Sequence, residues 1–143
     1  MSAAKLLMSF IDTIAFIDMG DIPQNFVEWL NQYAVLAPLG ITAKEIWEFR
    51  IGLLHMTNLS SRSVAKGTTA ALIMYVGNMP ERCHETPQSA KLFSLKQLLD
   101  IISEAVQRWA ETYNSNPDKF ASFVARYDLT VSDSRLAIIP MES

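Results

Sequence analysis

The stretch SLKQLLDIISEAVQRWAETY, residues 94–113, decides the fold class of this chain. Its apolar residues recur at three- and four-residue intervals, the spacing of one face of an α-helix. Ser94 followed three residues later by Gln97 is typical of a capping box at a helix start, and Pro117 follows the end. We therefore predict a central amphipathic helix of about five turns that carries one arginine, Arg108, near its end. The apolar stripe consists of Leu95, Leu98, Leu99, Ile102, Val106 and Trp109.

Five further segments show the same helical period. They span residues 3–17, 23–33, 42–56, 62–76 and 116–128. Thr42 with Glu45 forms a second capping-box pattern, whereas Gly67 in the fourth segment predicts a kink or break there. Only residues 129–131 and 137–139 resemble strands. The sequence predicts an all-α protein, a compact bundle of about six helices with an irregular C-terminal tail.

Composition limits the class of protein. The chain has 143 residues, of which 50% are hydrophobic, and this fits one domain over residues 1–143. No apolar run reaches the ~18–20 residues of a membrane span, and the single cysteine fits a reducing compartment, so we expect no membrane partner and a cytoplasmic location. The net charge of −3 gives no overall attraction to nucleic acid. Residues 129–143 are apolar enough to need cover, and we interpret them as an arm that docks on the subunit or on a neighbour.

The sequence offers little for catalysis. Cys83, His84 and Glu85 form the only nucleophile-like cluster, within the irregular stretch 77–91, and adjacent loop residues point apart rather than at one another. No ligand spacing of a metal site and no phosphate-binding glycine loop is present. We therefore predict no enzyme activity, no catalytic residue, no metal, no cofactor and no small-molecule substrate.

Basic residues at two helix ends are the candidates for phosphate contacts. Arg62 and Lys66 lie four apart at the start of a predicted helix, where Ser63 and free N–H groups would also face a phosphate. The alternative is a solvated, capped helix start. Arg108, beside Trp109, either pairs a phosphate or stacks on a base, or else it forms a surface ion pair on its own helix, with Glu104 or Glu111. Arg126 on the last helix has the same two interpretations.

From about residue 46 to residue 128 the order of features resembles the helical core of coat proteins of flexible filamentous plant RNA viruses, of the potexvirus and potyvirus type. The turn LSSRSV at residues 59–64 leads into a small-residue helix, and FSLKQL at residues 93–98 opens the long helix after an irregular stretch. The segment KFASF at residues 119–123 is similar to the family's Lys-Phe-Ala-x-Phe stretch. The family carries an acid directly after the second phenylalanine, where this chain has Val124; its nearest acid is Asp128.

The resemblance implies a coat or capsid subunit that assembles helically as a homo-oligomer in a virion or in host cytoplasm. It would hold single-stranded RNA without sequence preference, and the family's RNA-contacting arginine falls at Gln107 or Arg108. The candidate RNA contacts are thus Arg108, Arg62, Lys66, Ser63, Arg126 and, to orient an arginine, Asp128. The alternative is a small helical oligomerisation or protein-interaction module with no nucleic acid.

Overall fold

The computed structural model describes residues 2–55, 70–81 and 90–130. In these ranges the chain forms five α-helices and two short strands, in the order α1, α2, α3, β1, β2, α4, α5. Their bounds are α1 Ser2–Met19, α2 Asn25–Tyr33, α3 Ala43–His55, β1 Leu72–Tyr75, β2 Lys91–Ser94, α4 Leu95–Ser115 and α5 Asp118–Thr130. A short 3₁₀ helix, Ala37–Leu39, lies between α2 and α3. The predicted all-α bundle is confirmed as a mostly helical fold, but the described ranges contain five α-helices rather than about six, together with a two-stranded sheet.

The central helix begins where the capping pattern places it. The Ser94 hydroxyl accepts a hydrogen bond from the backbone N–H of Gln97 at 3.3 Å. The second capping box is also present at the start of α3, since the Glu45 N–H donates to the Thr42 hydroxyl and the Thr42 N–H donates to the Glu45 carboxylate at 2.8 Å. The same carboxylate accepts from Lys91 at 2.8 Å, and this contact ties β2 to the start of α3. A local cap thus also fixes a long-range packing contact.

The helix predicted over residues 62–76 is wrong at its C-terminal end, because Leu72–Tyr75 is the strand β1. It pairs in parallel with β2, with Leu72 opposite Lys91 and Tyr75 opposite Ser94. Ile73 and Tyr75 are of the β-branched and aromatic types that pack well on a pleated surface and are poorer helix formers. The strand prediction for residues 129–131 is also wrong for its first two residues, which end α5. The proposed arm, residues 129–143, therefore starts inside a helix, and residues 131–143 lie outside the described residues.

The buried side chains form one core, to which α1, α2, α3, α4 and both strands contribute. α1 packs against α2, α3 and α5, and α2 also packs against α3 and α4. The largest fully buried side chains are Trp29, Phe26, Phe93, Met8, Ile11, Leu30, Ile46 and Leu98. The stripe of α4 is only partly in this core: Leu98 and Ile102 are buried, whereas Leu99 is 42% exposed. Within the described ranges, no helix is both long and apolar enough to cross a membrane.

Candidate nucleic-acid interface

The six predicted RNA contacts divide into two groups. Arg62, Ser63 and Lys66 lie outside the described residues, so their convergence with Arg108 stays a prediction. Cys83 and its neighbours also lie outside them. Arg108, Arg126 and Asp128 are described, and the surroundings of each bear on what it contacts.

Arg108 lies on α4 and reaches the end of α2. Its Nη1 donates to the backbone carbonyl of Tyr33 at 2.6 Å, and its Nη2 lies 3.4 Å from the Glu104 carboxylate. Tyr33 is the last residue of α2, where the carbonyls have no helical N–H partner and the helix dipole favours a cation. The side chain is nevertheless 42% exposed. Arg108 therefore combines a structural contact with an accessible positive charge.

The aromatic residues beside Arg108 do not offer open ring faces. Trp109 and Tyr113 are 8% and 9% exposed and belong to the core. The two rings meet edge to face at 5.4 Å, and Tyr113 also contacts the ring of Phe123 on α5 at 5.7 Å. Base stacking beside Arg108 would need an exposed ring face, and these two residues present their rings to each other and to α5 instead.

Arg126 on α5 contacts the C-terminal end of α1. Its Nη1 donates to the carbonyls of Ile17 and Asp18, at 3.1 and 2.7 Å. The guanidinium lies against Gly20, whose φ of +81° turns the chain out of the helix. A cation at this position satisfies unpaired carbonyls and complements the negative end of the helix dipole. This contact gives Arg126 a structural role, independent of any RNA contact.

Asp128 lies on the exposed side of α5, two residues after Arg126. That Asp128 orients an arginine stays a prediction.

A polar cluster between Arg108 and Arg126 is not apparent from sequence spacing. Lys119 on α5 pairs with the Asp18 carboxylate at 3.2 Å, donates to the Thr112 hydroxyl and lies 4.7 Å above the Tyr113 ring. Burial raises the pKa of Tyr113 to about 12, and the nearby Asp18 carboxylate contributes to the rise. Burial also raises the pKa of Tyr33, with Asp18 adding to the effect and Lys119 opposing it. These groups come from helices that meet only in the folded chain, so no local motif could have revealed them.

Arg50 is a further cation that the sequence analysis missed. Its Nε donates to the Asp12 carboxylate at 2.6 Å, and its guanidinium lies 4.5 Å from the centre of the Trp47 ring. Both partners are largely shielded, with 16% and 28% of the two side chains exposed. The pair joins α3 to α1 and has a structural role. Among the described residues there is no group of three or more His, Cys, Asp or Glu side chains arranged to hold a metal ion.

Two apolar surfaces are exposed at different places in the described part of the chain. The first, here the α1/α4 groove, has a volume of about 620 Å³ and buried Leu7 and Ile102 among its lining residues. Its exposed walls include Leu6 at 71%, Phe10 at 45% and Leu99 at 42%. The second, here the α5 stripe, consists of Phe120, Val124 and Tyr127, which are 56%, 55% and 46% exposed. Exposed apolar surface is the kind of surface that association between proteins buries.

No protein-family model, no curated protein and no solved structure matches this chain.

Proposed function

We propose that this protein is a structural, self-assembling subunit, a helical coat-like protein that polymerises and holds single-stranded RNA without sequence preference. The observation that carries the proposal is the pair of separate apolar surfaces on one small subunit. Two such surfaces allow each copy to contact two neighbours, which is what a polymer needs.

The RNA part of the proposal rests on Arg108 and on the resemblance to filamentous-virus coat proteins. The Arg108 side chain is 42% exposed on the central helix, and a planar fork of donors suits a phosphate. A chain of net charge −3 can still hold RNA if each subunit neutralises a few phosphates and the polymer sums these contacts. Arg62, Lys66 and Ser63 are the proposed partners of Arg108 in this contact.

The test compares two variants that each remove one positive charge from α4. Arg108→Ala removes the proposed phosphate contact, and Lys96→Ala is the matched control, since Lys96 is 83% exposed and pairs only with Asp100 at 3.4 Å among the described residues. We expect binding of single-stranded RNA homopolymers to weaken with salt. In Arg108→Ala the slope of log affinity against log salt should fall by about 0.7 for the lost contact. An equal effect of the two variants would remove Arg108 from the interface.

A second candidate, an oligomerisation module with no nucleic acid, is favoured by one observation. Both described arginines of the candidate interface donate to backbone carbonyls within the chain, Arg108 to Tyr33 and Arg126 to the end of α1. Electron micrographs and an absorbance spectrum of the purified protein separate the two functions. Particles that form without nucleic acid, together with no salt-dependent RNA binding, would favour the module.

A further inference from the structure

The two apolar surfaces have matching dimensions. The stripe residues Phe120, Val124 and Tyr127 follow the i, i+4, i+7 spacing with which a helix inserts an apolar face into a groove. From the first to the last, the helix rises by about 10.5 Å. The groove walls extend over the same distance, because its α1 wall includes both Ala3 and Phe10, also seven residues apart.

The stripe is also held in place before any partner arrives. The Phe120 ring packs edge to face on Tyr113 at 5.4 Å, and the Tyr127 ring stacks on Phe123 at 5.7 Å with an interplanar angle of 9°. Side chains already fixed in one rotamer lose little conformational entropy on association. Half-exposed aromatic residues on a rigid support are the usual anchors of a protein interface.

From these observations we infer that the α5 stripe of one copy inserts into the α1/α4 groove of a second copy, so that subunits associate head to tail. This inference rests on the proposed self-assembly and names the surfaces that carry it. A contact between two different surfaces is heterologous, and its repetition produces a ring or an open filament.

The size of the contact predicts weak association between two copies. A fully buried aromatic side chain contributes about 150–250 Å², so three half-exposed anchors supply roughly 300 Å². With a similar area from the groove, one contact buries roughly 600 Å², half of the ~1,200 Å² at the lower limit of stable interfaces. Every contact in a row has this same size, so each step of assembly has the same modest affinity as a single pair. Association should therefore be weak, and assembled species should appear only at high protein concentration.

The test uses one defective variant of each surface. Leu6→Glu places a charge in the groove wall and leaves the stripe intact, whereas Val124→Glu does the reverse. Both positions are more than half exposed, so the fold should persist, and a far-UV circular dichroism spectrum checks it. Leu129→Glu is the matched control, because Leu129 is 76% exposed on α5 but lies on the side away from the stripe.

In sedimentation velocity over a range of concentrations, each of the two variants alone should lose assembly by at least about tenfold in association constant, while the control behaves as the wild type. Their equimolar mixture should form a 1:1 heterodimer that cannot grow, since one intact groove meets one intact stripe. A mixture that stays monomeric while the wild type assembles would overturn the inference and leave the proposed self-assembly standing.

Two further outcomes are decisive. If deleting residues 131–143 abolishes wild-type assembly while Val124→Glu does not, the tail rather than α5 occupies the groove and the inference is wrong. If the wild type stays monomeric at every concentration, with and without single-stranded RNA, the proposed function itself fails.

Discussion

Two neighbouring leucines of α4 test the orientation of the central helix. Leu98 is fully buried, whereas Leu99 lines the α1/α4 groove and is 42% exposed. Replacing either with alanine removes the same atoms and changes helix propensity equally, so the two variants differ only in environment. Leu98→Ala loses the full transfer free energy and leaves a closed cavity, at a cost of about 2–5 kcal/mol. Leu99→Ala loses only part of that transfer term and opens onto solvent, so we expect about 1 kcal/mol or less.

Urea denaturation followed by circular dichroism measures the difference, at protein concentrations low enough to avoid assembly. With a slope of about 2 kcal/mol per molar urea, a difference of about 2 kcal/mol separates the two midpoints by roughly 1 M. Assembly should rank the variants in the opposite order, since Leu99 contributes to the groove and Leu98 does not. A midpoint for Leu99→Ala as low as that of Leu98→Ala would refute this orientation of α4.

Three further perturbations test other parts of the fold. Gly20→Ala should destabilise the protein by about 1–2 kcal/mol, because Gly20 has a φ of +81° and an added Cβ would lie 3.3 Å from the Arg126 guanidinium. Gly40 has a φ of +64°, and an added Cβ there would meet no atom within 4 Å, so Gly40→Ala should cost less in the same urea titration. Glu45→Ala should cost about 1–3 kcal/mol, because it removes the carboxylate that accepts from the Thr42 N–H at the start of α3 and that pairs with Lys91 of β2. Glu45→Gln keeps a side-chain acceptor for the Thr42 N–H and should recover part of that loss in thermal unfolding. Burial raises the pKa of Tyr113 to about 12, so ionisation of its hydroxyl favours the unfolded chain, and the free energy of unfolding should fall as the pH rises from about 10 toward 12. Tyr113→Phe should show a smaller fall. Tyrosinate absorbance that titrates fully at about pH 10, before the protein unfolds, would contradict the raised pKa.

The helices that carry their own start signals could be predicted from the sequence. The N-terminal caps of α3 and α4 form between residues three apart, through Thr42 with Glu45 and Ser94 with Gln97. Such contacts depend on the local chain alone, and the 3.6-residue period shows which residues share a face. For the same reason the central helix was predicted to within about two residues of its observed bounds.

The tertiary structure alone decided which part of an apolar stripe is buried and whether a short apolar run is a strand. Leu99 belongs to the predicted stripe of α4, yet it lines an open groove, because α1 and α4 leave a space between them there. Leu72–Tyr75 becomes a strand because β2, nineteen residues further along, supplies its hydrogen-bond partners. A strand has no internal hydrogen bonds, so its own sequence cannot specify it without its neighbour.

The surroundings of the candidate interface were also decided by the tertiary structure. Arg108 and Arg126 were recognised as basic residues near helix ends, but their acceptors lie 75 and 108 residues away in the chain. Each guanidinium reaches the carboxyl end of a different helix, where unpaired carbonyls and the helix dipole attract a cation. Sequence spacing shows which charges share a helix face, but it cannot show which carbonyls the packing of other helices brings to them.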